Sequence, residues 1–161
     1  MTLFSKVLVL FTALALSACT SPDRFGENTV ELGGSVSDPT SPAYFQEAVG
    51  DRVIFEVNQY TLSPQARATL DAQANWLIQN FDYMAVVEGH ADERGTREYN
   101  LALGARRANS VQEYLLSQGV PSNRMKVVSF GKERPIEICS AESCYAQNRR
   151  AVTVISIAAG S

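Results

Sequence analysis

Short β-branched runs alternate with long stretches of helical period between Asp51 and Ile157, and this alternation narrows the fold class more than any other feature of the chain. Arg52-Val53-Ile54-Phe55-Glu56-Val57 reads as a first strand, closed by the polar pair Asn58-Gln59. Ser63-Pro64 then opens a helix, with Ser as the N-cap and Pro at the first helical position. Ala66, Leu70, Ala74, Leu77 and Phe81 recur at helical spacing and mark one apolar face up to about Asn80. Met84-Ala85-Val86-Val87-Glu88 is a second strand. A second helix runs from about Arg97 to Gln118 and stops at Gly119, with Pro121 beyond it; its expected core stripe is Leu101, Ala105, Ala108, Val111 and Leu115. Lys126-Val127-Val128-Ser129-Phe130 and the run from Ala151 to Ile157 complete the set, with a short helical turn expected from Tyr145 to Arg149. The order β-α-β-α-β-β predicts an α+β, two-layer sandwich: helices on one face of a mixed four-stranded sheet. The first two crossovers are long enough to join parallel strands.

The N-terminal part obeys different rules. Lys6 precedes an almost purely apolar run, Val7 to Leu16. That run is too short to span ~30 Å of hydrocarbon but suits the core of a signal peptide over residues 1–18. Leu16-Ser17-Ala18-Cys19 resembles the bacterial lipobox, in which cleavage leaves the cysteine as an acylated first residue. An ordinary secretory peptide cut near Ala18 is the alternative. Acylation of Cys19 would anchor the chain, since each buried methylene contributes ~0.8 kcal/mol and two or three acyl chains, palmitate among them, hold durably. Thr20, rather than Asp, follows Cys19; by resemblance to lipoprotein sorting in enteric bacteria this favours the outer membrane. Residues 19–49 are rich in Gly, Ser, Pro, Thr and Asp and offer little apolar surface, so they read as a flexible tether, with the domain proper at 50–161.

Charge and cysteines exclude some functions. With 14 Lys and Arg against 17 Asp and Glu, the net charge of −3 leaves no basic footprint, so no nucleic-acid partner is expected. Cys139 and Cys144 enclose four residues and, in an exported chain, read as a disulfide, with two reduced thiols in a loop as the alternative. A zinc or other metal site is not expected, because His90 is the only histidine and no second cysteine pair exists. No cofactor motif is present.

The densest polar cluster is Glu88-Gly89-His90-Ala91-Asp92-Glu93-Arg94-Gly95-Thr96, where the second strand passes through a loop into the second helix. On that helix Asn100, Leu103 and Arg107 lie within about 60° of one another, on a stripe expected to be distinct from the core stripe. An acid on the loop and an arginine fork on the helix are what a zwitterion requires: one meets an ammonium, the other a carboxylate. Read without further context, Asp92 and Arg107 could equally form a surface salt bridge.

The run from Glu88 to Thr96, followed by Glu98-Tyr99-Asn100, Leu103-Gly104 and Arg106-Arg107-Ala108, resembles the peptidoglycan-associated lipoproteins (Pal) of the OmpA-like, peptidoglycan-binding family. Val128-Ser129-Phe130-Gly131-Lys132-Glu133 and Gln147-Asn148-Arg149-Arg150-Ala151-Val152 match the same pattern, so the resemblance covers about residues 51–157. It implies a last strand antiparallel in a mixed sheet, and non-covalent binding of meso-diaminopimelate in the peptidoglycan stem peptide. Asp92 falls where the family's acid meets the diaminopimelate ammonium, and Arg107 where its arginine meets the carboxylate. Asn100 and Leu103 match flanking contacts. Val57 and Asn58 match a loop whose backbone amides help to hold a carboxylate. This chain has Asn58 where many relatives have Asp, and Gln59 where they have Lys. The resemblance further implies a place in the Tol–Pal system, with the propeller protein TolB competing with the wall, and a role in envelope integrity and constriction at division.

Two other functions compete with wall binding. A wall hydrolase would use His90, Asp92 and Glu93, but acid–base work needs a nucleophile, a second acid or a metal beside them. A scaffold without wall affinity is the other. His90 reads as a structural hydrogen-bonding residue at a strand end. Glu93 and Arg94 shape the loop or meet a protein partner. Arg149 and Arg150 border the pocket or satisfy carbonyls structurally. Trp76, Tyr83 and Tyr114 read as packing residues.

Overall fold

The computed structural model describes residues 34–157. A helical turn at Pro42–Tyr44, capped by Ser41, runs into a π-helical stretch at Phe45–Gly50. Strand β1 (Arg52–Ile54) follows, then helix α1 (Pro64–Gln79), strand β2 (Tyr83–His90), helix α2 (Arg97–Ser117), strand β3 (Met125–Gly131), helix α3 (Glu142–Asn148) and strand β4 (Arg150–Ile157). The sheet order is β1-β4-β2-β3. Strand β4 pairs antiparallel with β1 and β2, and β2 pairs parallel with β3. The last strand thus enters the middle of the sheet, and the mixed α+β sandwich is as the sequence predicts.

Both long helices start as their sequences dictate. Ser63 Oγ accepts from Ala66 N at 3.1 Å and Thr96 Oγ1 accepts from Tyr99 N at 3.2 Å, satisfying donors that a helix start leaves orphaned. Alternate strand residues point inward: Val53, Ala85, Val87, Ala151 and Ile155 pack against Ala66, Leu70, Ala74, Leu77, Ala108, Val111 and Leu115. The opposite face of the sheet exposes Ile54, Val128 and Val154.

Three sequence-based boundaries are corrected. Phe81 lies outside the core, 73% exposed, because α1 ends at Gln79, where Asn80 turns its amide back to Trp76 O. Leu101 is also exposed, since the buried arc of α2 is centred on Asn100, Leu103, Gly104, Arg107, Ala108 and Val111. The expected tether meets the domain earlier than residue 49. Phe45 is fully buried with its ring 4.9 Å from that of Trp76, and Trp76 Nε1 donates to Pro39 O at 2.7 Å. Phe45, with Tyr44 and Val49 packed against the same core, gives enough apolar surface to order a segment that composition alone assigns to a linker. Residues 1–33, which include the signal-peptide reading and Cys19, lie outside the described residues.

The tightest packing positions the polar loops. Gly89 on β2 faces Gly104 on α2, and a Cβ on Gly89 would collide with the Gly104 carbonyl oxygen, while one on Gly104 would reach Gly89 O at 2.8 Å. With neither Cβ present, the first half of α2 lies directly on the end of β2. Ser129 Oγ donates to Leu101 O at 2.6 Å and fixes β3 to the same helix.

Candidate functional site

Four segments converge where β2 ends: the loop 91–96, the loop after β1, the buried side of α2, and the junction of α3 with β4. Arg107 is their hub. It is fully buried and has its guanidinium 5.2 Å from the Phe55 ring centroid. Its Nε donates to Gln59 O at 2.8 Å, Nη1 to His90 O at 2.8 Å and Nη2 to Glu56 O at 3.1 Å. Burial pushes its pKa down to about 10, with the Asp92 charge opposing the drop, so it stays protonated at neutral pH. A guanidinium carries five N–H groups, so two remain beyond these three bonds.

Asp92 is 8% exposed. Its Oδ2 accepts from Arg94 Nη2 at 2.7 Å and Arg149 Nη1 at 3.4 Å, and its Oδ1 accepts from Arg94 N at 3.2 Å. Burial pulls this carboxyl upward, but the bonds and charge of Arg94, with Arg149, outweigh it and hold the pKa below the usual aspartate value. Asp92 is therefore an anion, and its main neutralising partner, Arg94, has a side chain 44% exposed. The acid and the buried arginine are not a surface salt bridge with each other. They belong to one charged cluster whose other members are Arg94, Arg149 and Glu142.

Asn100 and Leu103 are buried on α2 with Arg107 rather than on a separate polar stripe. The expectation of two distinct stripes fails because the glycine contact draws α2 so close that its buried arc takes in polar positions as well. Asn100 Nδ2 donates to Arg94 O at 2.8 Å and so holds the loop. Val57 is exposed, and Asn58 adopts a left-handed backbone with φ of 56°. Asn and Asp tolerate that region better than other side chains, which explains why either type suits this turn. Tyr99 Oη donates to Asn58 Oδ1 at 3.3 Å, and the Gln59 N–H closes the turn onto Glu56 O at 3.1 Å. What Gln59 gives Arg107 is its carbonyl, a contribution independent of side-chain charge.

Arg149 belongs to this cluster more directly than the sequence indicates. Its side chain is 5% exposed; Nε donates to Phe55 O at 3.0 Å and Nη2 to Glu142 Oε1 at 2.6 Å. Only its neighbour Arg150 is wholly structural, donating to Arg134 O and Asn148 O. Glu142 was not singled out from the sequence. The one available signal was its position three residues after Cys139 and two before Cys144, which form a disulfide with Cα atoms 5.9 Å apart.

His90 corrects its expected role. It is buried, its ring stacks 5.5 Å from Phe130, and neither ring nitrogen has a hydrogen-bond partner. Burial, then the charges of Arg150 and Arg134, lower its pKa to about 4. As an acid–base set His90, Asp92 and Glu93 are poorly placed: the first is enclosed and neutral, the second is held ionised by arginines. The third accepts from Tyr145 Oη at 2.9 Å and Ser140 Oγ at 3.3 Å.

The pattern of the OmpA family matches residues 54–149, the span that carries all of these side chains except Arg150. A peptidoglycan-associated lipoprotein of Rhizobium meliloti (strain 1021) is 48% identical over 151 residues, 92% of this chain and 86% of the relative. One from Pseudomonas aeruginosa is 43% identical over 126 residues, 78% of this chain and 71% of the relative. Among solved structures, the peptidoglycan-associated lipoprotein of Burkholderia pseudomallei superimposes with a TM-score of 0.67 at 38% identity, covering 75% of this chain and 98% of that one. The C-terminal domain of Helicobacter pylori MotB shares the fold at a TM-score of 0.62 and 23% identity, covering 68% and 86%.

Proposed function

This chain belongs to the OmpA family, and from that premise we propose that it is an outer-membrane lipoprotein whose domain binds peptidoglycan without catalysing a reaction. The ligand is the zwitterionic end of meso-diaminopimelate in the stem peptide. Its ammonium meets the Asp92 carboxylate, displacing the exposed Arg94 fork. Its carboxylate meets the remaining N–H donors of Arg107 and the main-chain amides of Val57 and Asn58, with Asn100 and Leu103 on the same buried side of α2 as Arg107. The observation that carries this reading is the reach of one buried guanidinium. Arg107 ties the loop that bears Val57 and Asn58 to the strand end that leads to Asp92, so the two halves of a zwitterion receptor are fixed to each other before ligand arrives.

In this reading Cys19 carries the lipid that holds the chain at the outer membrane, and the residues after it bridge to the wall. No described helix is long and apolar enough to cross a membrane. The proposed attachment is the acyl group on Cys19, as its lipobox-like context suggests. TolB is the proposed protein partner, competing with the wall in the Tol–Pal system, which would let envelope constriction release or relocate the tether.

Co-sedimentation with isolated sacculi tests the reading. The wild-type domain should pellet with sacculi carrying diaminopimelate, and D92N should remain in the supernatant. Equal pelleting of both proteins would remove Asp92 from the ligand site. Release of soluble fragments by the wild-type domain would turn the reading towards a hydrolase.

A further inference from the structure

The segment between β3 and β4 does more than connect strands. Cys139 lies in an irregular loop whose apolar residues are turned outward, Ile136 at 43% exposure and Ile138 at 89%, so packing contributes little to hold it down. Two features fix it. Asn148 bonds the Ile136 and Glu137 main chain, and the Cys139–Cys144 bond ties the loop to the first turn of α3. Three residues near those cysteines, Ser140, Glu142 and Tyr145, reach the loop that carries Asp92. Tyr145 Oη and Ser140 Oγ both donate to Glu93 Oε1, at 2.9 and 3.3 Å. The Arg94 guanidinium lies 4.6 Å from the Tyr145 ring centroid and 3.5 Å from Glu142 Oε2. From the other side, Lys132 Nζ donates to Glu93 O at 3.2 Å and Gly95 O at 2.7 Å.

We infer that the disulfide-closed loop is a clasp, and that Glu93, gripped by Tyr145 and Ser140, is a positioning residue that holds the Asp92 loop in its ligand-binding shape. This rests on the wall-binding reading and deepens it. Each tie is exposed and individually weak, so the clasp adds little to global stability. Its effect falls on preorganisation: without it, ligand binding must also order residues 92–96, and affinity drops by that cost. The clasp further explains why two consecutive loop residues, Glu93 and Arg94, turn to the same short helix while Asp92 turns inward to Arg149.

The mature domain, wild type and as E93A, Y145F and C139S/C144S, is titrated with a meso-diaminopimelate muropeptide, and amide hydrogen exchange is followed without ligand. Each variant should speed exchange at residues 92–96, leave exchange in β2 and α1 unchanged, and weaken affinity about five- to tenfold. Adding E93A to C139S/C144S should cost no further affinity, because both cut the same tie. Wild-type exchange and wild-type affinity in the variants would overturn the clasp, as would fully additive losses in the combined variant. A wild-type domain that takes no muropeptide counts against the wall-binding reading instead, and exchange at 92–96 then decides the clasp by itself.

Discussion

The Arg107 guanidinium donates to the main-chain carbonyl of Gln59, 48 residues away in sequence, at 2.8 Å. With its bonds to His90 O and Glu56 O, this makes one side chain the internal frame for two loops. R107A should therefore act on folding as well as on binding. It leaves three carbonyls without their charged donor and removes buried side-chain volume, a loss of about 3–5 kcal/mol. Urea denaturation should show that loss, with R107K recovering only part of it, since an ammonium cannot reproduce the fork.

Asp92 separates binding from folding more cleanly. D92N keeps the size of the side chain but leaves Arg149 beside a neutral amide. The domain should remain folded at room temperature, while affinity for a diaminopimelate muropeptide falls by at least about 100-fold, as for loss of a charge-assisted contact. Isothermal titration and a thermal melt on the same sample check both halves.

Gly104 should be intolerant of even one added carbon. G104A directs a methyl at Gly89 O and Ser129 Oγ, two groups on neighbouring strands that cannot both retreat. The expected cost is about 1–3 kcal/mol, with weaker ligand binding as α2 shifts away from β2. A denaturation midpoint equal to that of wild type would contradict this account of the packing.

His90 makes stability depend on pH. Above about pH 6.5 the imidazole is neutral in both folded and unfolded chains. Between that value and about 4 the unfolded chain takes up a proton that the folded chain refuses, so stability falls as pH falls, by roughly 3 kcal/mol if the whole shift is expressed. H90F, which keeps the stack on Phe130, should flatten the dependence between pH 6.5 and 4. Denaturation curves at four or five pH values would show it.

Much of this was legible in the residues. Period and end signals placed both long helices, because Ser63-Pro64 at the start of the first and Gly119 at the end of the second act on neighbouring backbone. The motif around Asp92 placed the polar loop at a strand end. What could not be read was anything decided by distant partners. The insertion of β4 between β1 and β2 depends on register with strands far away in the chain. The burial of Asn100 and Arg107 depends on the missing Cβ atoms of Gly89 and Gly104, since sequence spacing shows a face but not how closely its neighbour approaches. Phe45 was hidden among linker-like residues until Trp76 supplied its partner. For Arg149 the sequence leaves two roles open, bordering the pocket or satisfying carbonyls, and the fold gives it both, with Asp92 Oδ2 and Phe55 O as acceptors.

The central claim is that one receptor recognises both charges of a single amino-acid end. Titrating the mature domain with two muropeptides, identical except that one carries meso-diaminopimelate and the other lysine, tests it most directly. Lysine retains the ammonium for Asp92 and lacks the distal carboxylate that Arg107 and the amides of Val57 and Asn58 would hold. The account predicts measurable binding of the first and a loss of at least about 100-fold for the second. Equal affinity for the two would contradict it.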